Sequence, residues 1–176
     1  QGMFQNFAVA SMELARLSAL RKDFDGALRW TELTKQLKPD FDFPDRVLGL
    51  YYARTGQVER GIEHYERLLE ADSARGDFWL GLARIYEEND EPDKALEVIR
   101  RGIGAAPDHR DLYANGFFIS ARAGRIDLSK SFVESWLGRH PEDKEFRQLL
   151  DDFDQVIYKE FGIGEPPDTS VPAGQK

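Results

Sequence analysis

The sequence of 176 residues contains no cysteine, and its basic residues are outnumbered by its acidic ones. Without cysteine the chain has no disulfide framework and no thiolate metal ligands. The 24 lysines and arginines against 32 aspartates and glutamates give a net charge of −8, which argues against nucleic-acid binding because phosphate contacts need a basic surface. No apolar run approaches the roughly 20 residues that span a bilayer, so we expect no membrane insertion.

Motifs for catalysis or for a bound cofactor are also missing. The three histidines share no metal-ligand spacing, and we interpret them as solvated surface side chains: His64, His109 and His140. Gly162 and Gly164 form a lone glycine pair that no further helix or strand follows, which is typical of a helix stop and not of a phosphate-binding loop. We therefore predict a protein that is not an enzyme and that needs neither cofactor nor metal.

What the sequence does contain is a repeat with a period of 34 residues. Counting back by 34 from Pro141 gives Pro107, Ser73 and Pro39. A small residue follows the same period at Ala27, Gly61, Ala95 and Ser129. A neighbouring large-small pair does so at Leu14-Ala15, Leu48-Gly49, Leu82-Ala83 and, inverted, Gly116-Phe117. A fixed period of this length indicates an array of stacked units.

Each unit contains two amphipathic segments joined by a short polar elbow. In the third unit, one helical face carries Trp79, Leu82, Ala83 and Tyr86. Pro92 then stands at the expected first turn of a second helix, where its missing N–H costs nothing. Two helices joined by a tight elbow form an antiparallel hairpin. One hairpin cannot bury both of its faces alone, so the units must stack.

This pattern resembles the tetratricopeptide repeat, whose units carry W-x2-L-G-x2-Y, then a small residue, an aromatic or aliphatic residue and a proline. The third unit matches best, with Trp79, Leu82, Ala83, Tyr86, Ala95, Ile99 and Pro107. The first unit has Ser11 and Ser18 where aromatic residues are usual. The resemblance implies an all-α fold, a right-handed superhelical stack of four helix hairpins (an α-solenoid) with a C-terminal capping helix.

The repeat period places the four units at residues 8–41, 42–75, 76–109 and 110–143. Residues 144–161 carry one apolar face and are predicted to form the capping helix, with a dimer contact as the alternative. Residues 162–176, rich in proline and glycine, are expected to be disordered. We interpret residues 1–7 as a tag remnant and an extension of the first helix. The compartment stays open between the cytoplasm and the soluble part of an exported or membrane-anchored protein.

The resemblance also implies a concave groove lined by the first helix of each hairpin. Carried over position by position, the predicted peptide-binding residues are Met12, Arg16, Phe43, Arg46, Leu50, Arg54, Leu80, Arg84, Phe118 and Arg122. The corresponding acidic positions are Asp77, Glu87, Glu88 and Asp111, all in the third and fourth units. Because arginine matches carboxylates in a bidentate way, we predict that the acidic portion of an extended or helical peptide binds Arg16, Arg46 and Arg54.

The predicted function is therefore a protein-protein interaction adaptor, and several alternatives stay open. The arginines could pair only with neighbouring repeats or with solvent. The chain could instead be a structural or oligomerisation domain of a larger protein, with a homodimer formed through the C-terminal helix or the convex face. The excess of acidic over basic residues argues against RNA binding. Some members of the family bind the C-terminal carboxylates of chaperones through a clamp of lysine, asparagine and arginine side chains. That clamp does not match here, because the corresponding positions are occupied by Met12, Arg16, Val47, Asp77 and Gly81.

Overall fold

The computed structural model describes residues 2–21, 23–38 and 43–162, and within these ranges the chain forms ten α-helices and no strand. The helices are α1 (Gly2–Leu20), α2 (Phe24–Leu37), α3 (Phe43–Arg54), α4 (Val58–Ala71), α5 (Gly76–Glu88), α6 (Pro92–Ala105), α7 (Arg110–Arg122), α8 (Ile126–Arg139), α9 (Lys144–Asp151) and α10 (Phe153–Phe161).

The first eight helices pack as successive hairpins. The two helices of each pair contact each other, and each second helix contacts the first helix of the next pair. The first helices α3, α5 and α7 also contact one another directly. This arrangement confirms the predicted all-α solenoid.

The elbow inside a hairpin needs a left-handed residue to end its first helix. Gly56, Asp90 and Gly124 have φ angles of 83°, 59° and 71° and stand 34 residues apart. The N–H of the next residue then reaches back to the last turn of the first helix, as in the 2.9 Å bond from Glu91 N to Tyr86 O. This closure is the glycine-type helix ending known from many helices. The position one period before Gly56, Lys22, lies outside the described residues.

Small residues stand where the two backbones of a hairpin meet. A Cβ added to Gly61 would come within 2.7 Å of the backbone oxygen of Gly49, so α3 and α4 leave no room for a side chain there. In the fourth hairpin the inverted pair has a packing reason of its own. A Cβ on Gly116 would lie 2.7 Å from the ring of Phe132, and Phe117 beside it is fully buried.

The C-terminal segment differs from the single capping helix predicted over residues 144–161. Asp152 leaves helical geometry with φ −98° and ψ 16°, so the segment divides into α9 and α10. The physical reason is that α9 packs against α8, whereas α10 turns back and places Phe153 against Phe117 of α7. Gly162 ends α10 in a left-handed conformation, as predicted. The rest of the predicted disordered tail, residues 163–176, lies outside the described residues.

Candidate functional site

A groove of about 910 Å³ runs along the first helices α3, α5 and α7. These helices form the concave side of the solenoid, because they contact one another while their partners α4, α6 and α8 lie behind them. The groove is lined by Arg46, Val47, Leu50, Tyr65, Asp77, Leu80, Gly81, Arg84, Glu87, Glu88, Asp90, Pro92, Asn115, Ile119, Arg122 and Ala123.

The floor of the groove is built on Tyr65, which comes from the second helix α4 and is 1% exposed. Its ring fills the space beside Gly49 and Gly81, where a Cβ on either glycine would overlap it. The hydroxyl donates a 2.7 Å hydrogen bond to the backbone oxygen of Arg46. Burial raises the pKa of Tyr65, so the hydroxyl stays protonated and the floor carries no charge.

Glu88 joins two repeats on the wall of the groove. Arg54 donates to it through both nitrogens of its fork, with Nε–Oε2 at 3.0 Å and Nη2–Oε1 at 2.6 Å. Arg84 adds a third bond of 3.0 Å from its Nε to Oε1. The hydrogen bond from Arg54 is the main reason why the pKa of the Glu88 carboxyl lies below its usual value. Glu88 is therefore ionised at neutral pH and already occupies the fork of Arg54.

A second carboxylate, Asp77, has a similar position nearer the start of α5. It accepts from Arg46 at 3.1 Å, while Arg75 lies 3.5 Å and His109 3.3 Å away. On the opposite side of the groove, Arg122 of the fourth hairpin pairs with Glu87 of the third. The positive and negative side chains of the groove are thus largely matched between neighbouring repeats.

Five of the ten predicted peptide-binding residues come together as lining of this groove: Arg46, Leu50, Leu80, Arg84 and Arg122. Arg54 does not line it but contacts Glu88, which does. Phe118 lies on α7 with 47% of its surface exposed, against the rings of Phe117 and Phe161.

Of the remaining three predicted residues, two lie away from the groove lining and one has a side chain outside the described residues. Met12 is half-buried on α1, and Arg16 of the same helix is exposed and pairs with Glu13 at 3.0 Å. The backbone of Phe43 opens α3, but its side chain lies outside the described residues.

The sequence reasoning missed the contribution of the second helices. Tyr65 and Pro92 line the groove although they lie on α4 and α6. Two glycines, Gly49 and Gly81, make space for the ring of Tyr65. The interpretation of His64 as a solvated side chain is wrong, because it is 8% exposed and packs edge-on against Tyr65. The other two histidines face aspartates of neighbouring loops and helices.

No group of metal-ligating side chains was found in residues 2–21, 23–38 and 43–162. Within the same ranges, none of the helices combines the length and the apolar character needed to cross a membrane. The residues that line the groove supply mainly apolar side chains, guanidinium groups and carboxylates.

Comparison with known proteins places this geometry among repeat proteins. The family model described as tetratricopeptide repeat matches residues 46–110. The TPR repeat-containing protein YpiA of Bacillus subtilis (strain 168) is 22% identical over 153 residues, which cover 82% of this chain and 36% of YpiA. The BBSome complex member bbs-4 of Caenorhabditis elegans is 32% identical over 87 residues, 49% of this chain and 19% of that protein. The chain thus spans about a third or less of the length of these relatives.

Solved structures share the fold at low sequence identity. TTC0263, a thermophilic TPR protein of Thermus thermophilus, superposes with a TM-score of 0.59 at 17% identity, over 88% of this chain and 83% of that one. PilW, a type IV pilus biogenesis factor, superposes with a TM-score of 0.60 at 16% identity, over 88% and 70%. At such identities the likeness shows the fold alone.

Proposed function

We propose that this chain, which matches the tetratricopeptide repeat model over residues 46–110 and shares the fold of solved TPR proteins, binds a peptide segment of a partner protein in its concave groove. The observation that carries this proposal is the groove itself, about 910 Å³ in volume and lined by three successive first helices. Pockets of this size bury most of a short ligand's surface. The proposed role is binding, without catalysis.

The middle of the groove supplies apolar contacts. Leu50 and Leu80 are half-buried, so part of each side chain stays open to a ligand, and Tyr65 gives a flat, uncharged floor beneath them. An apolar centre with a polar rim is the usual arrangement of an interface hot spot. We therefore infer that one or two apolar side chains of the peptide bind above Tyr65.

The charged wall supports an acidic portion in the same peptide. The fork of Arg54 is already held in the geometry that a carboxylate requires, because Glu88 occupies it in a bidentate way. Glu88 is about a third exposed, and such pairs contribute only about 0–1 kcal/mol. A carboxylate of the partner can therefore replace Glu88 at small cost. Arg46, which pairs with Asp77 and also lines the groove, completes the proposed acidic subsite, whereas Arg16 on α1 lies outside the lining and is not part of it.

Fluorescence anisotropy with a labelled synthetic peptide of alternating glutamate and leucine tests this proposal. We expect saturable binding that weakens at least about tenfold in Arg54→Glu, because the reversed charge repels the peptide. Arg46→Ala should weaken it several-fold. Arg125→Ala is the control for Arg46→Ala, since Arg125 is an arginine of comparable side-chain exposure, 45% against 37% for Arg46, that pairs with Asp93 and does not line the groove.

Two outcomes would reject parts of the proposal. Equal affinity of wild type, Arg46→Ala and Arg54→Glu would reject the acidic subsite. A peptide in which lysine replaces glutamate, if it bound as well as the acidic one, would reject the charge preference and leave only the apolar contacts. Loss of all binding in Leu80→Glu, with affinity unchanged in Arg125→Ala, would support the groove as the site.

A further inference from the structure

The outer side of α1 carries an apolar stripe that no other described helix covers. Its residues follow a spacing of three, four and three: Phe7, Ala10, Leu14 and Leu17. Phe7, Leu14 and Leu17 are 60%, 38% and 42% exposed. This spacing is that of the a and d positions of a helix-helix seam. Met12 and Arg16 lie on a different face of the same helix.

The repeat register shows what kind of surface belongs on this stripe. Two periods of 34 residues after Leu14 and Leu17 stand Leu82 and Ile85 of α5. These two side chains are buried, with 2% and 0% of their surface exposed. Among the helices that contact α5, it is α4, the second helix of the preceding hairpin, that meets Ile85: a Cβ on Gly61 of α4 would lie 3.1 Å from the Ile85 side chain. The face equivalent to the stripe is therefore covered by a helix in the middle of the array, so a helix is the complementary shape for α1 as well.

A second copy of the chain could cover the stripe with any helix that exposes apolar side chains. Within the described residues, the large exposed apolar side chains are Phe7, Val9, Leu14, Leu17, Phe118 and Tyr158. Only α1 gathers several of them at helical spacing. The outer face of α10 instead exposes Asp154, Gln155, Lys159 and Glu160 beside Tyr158, which makes it a poor partner for an apolar stripe. The helix that fits the stripe on α1 is α1 itself.

Charge favours the same contact. The chain as a whole carries a net charge of −8, so two copies repel each other through most of their surfaces. Residues 1–21 carry only Glu13, Arg16 and Arg21, a local charge of +1. Glu13 and Arg16 already neutralise each other at 3.0 Å. The stripe is therefore a place where two copies approach with little electrostatic repulsion.

We propose that the chain forms a two-fold dimer in which the apolar stripe of α1 packs against the same stripe of a second copy. Such an isologous contact is the commonest way in which identical subunits associate. It leaves the concave groove of each copy open, so it does not depend on the peptide-binding proposal. The dimer would place two grooves in one assembly, which increases the avidity for a partner that carries two binding segments.

Light scattering coupled to size-exclusion chromatography tests the dimer over a concentration series. We expect the wild type to have the mass of a dimer at the highest concentrations. Leu17→Glu should raise the dissociation constant about a hundredfold, because it places a carboxylate from each copy in an apolar contact. Tyr158→Glu is the matched control, with 39% exposure against 42% for Leu17, and should leave the dimer unchanged. Unchanged circular dichroism shows that each variant is folded.

A monomeric wild type at every concentration would overturn the proposal and would mean that the stripe is covered by something other than a second copy. Dissociation by Tyr158→Glu but not by Leu17→Glu would overturn it in favour of a dimer through the C-terminal helices. A second measurement uses the absence of cysteine. Under oxidation Leu14→Cys should form a covalent dimer, whereas Ser135→Cys, an exposed position on α8, should stay monomeric. Equal cross-linking of both would contradict the proposed contact.

Discussion

Asp143 connects three helices of the C-terminal half, and its replacement by alanine should be among the most destabilising changes of a polar residue in the chain. Its side chain caps α9 by accepting from Glu145 N at 3.1 Å and Phe146 N at 3.0 Å. It also accepts from Nε of Arg110 on α7 at 2.8 Å and from Nε1 of Trp136 on α8 at 2.9 Å. Only 16% of the side chain is exposed, so water cannot replace these bonds freely.

The cost of Asp143→Ala can be worked out from these contacts. Loss of an N-cap costs about 1 kcal/mol. Loss of the bonds to the Trp136 indole and the Arg110 guanidinium costs about 1 kcal/mol each, because the indole N–H is left without its partner. The expected loss in the free energy of unfolding is therefore about 3 kcal/mol. Asp143→Asn keeps an acceptor oxygen and should cost about half as much.

Urea unfolding followed by circular dichroism at 222 nm measures these differences. Asp108→Ala is the control, because Asp108 pairs with Arg139 and His140 but its side chain is 70% exposed. We expect this control to cost less than about 1 kcal/mol. The reasoning would be refuted if Asp143→Ala and Asp108→Ala were equally stable.

The pH dependence gives an independent check on the charge of Asp143. The hydrogen bond from Arg110 is the main reason why the pKa of this carboxyl lies below its ordinary value of 3.8 in the folded chain. Stabilisation from a lowered pKa is fully present above the ordinary value and is lost as the pH falls through the folded value. The stability difference between wild type and Asp143→Asn should therefore shrink between pH 7 and pH 2, and a constant difference would contradict the assignment.

Three further predictions concern the groove and the end of the array. Gly81→Ala should lower the free energy of unfolding by about 1–3 kcal/mol, because the new Cβ overlaps the ring of Tyr65; an unchanged urea midpoint would contradict this packing. Glu88→Gln should cost less than about 1 kcal/mol at pH 7, and the difference from wild type should shrink as the pH falls below the ordinary value of 4.5, because its pairing with Arg54 lowers the pKa of Glu88. Gly162→Ala should cost about 1 kcal/mol, measured by thermal unfolding, since its φ of 66° strains any residue with a Cβ.

Sequence reasoning predicted the fold well because one signal recurs with a fixed period. The elbows at Gly56, Asp90 and Gly124 and the buried small residues Ala27, Ala95 and Ser129 all stand where the period of 34 places them. The division of the C-terminal segment at Asp152 was not predictable in the same way. The apolar spacing of residues 144–161 is helical on both sides of the break, and only the need to contact two different helices shows where it bends.

The groove was predicted in part, for an equally physical reason. The repeat pattern indicates which positions of each first helix point towards the concave side. On that basis Arg46, Leu80 and Arg122 were correctly expected to line the groove. They do not show what each side chain meets. The pairing of Arg54 with Glu88 depends on the distance between two repeats, and the place of Tyr65 depends on two glycines in other helices. Such pairings require the three-dimensional arrangement.

The main contacts of the described helices are between near neighbours along the chain. Each helix packs against its partner in the same hairpin and against helices of the adjacent hairpin. Closing short loops costs little chain entropy, so the native contacts form early in folding. During synthesis the polypeptide emerges from its amino-terminal end, and domains fold as their residues become available. Each hairpin can therefore dock on the one before it while the ribosome is still adding the next.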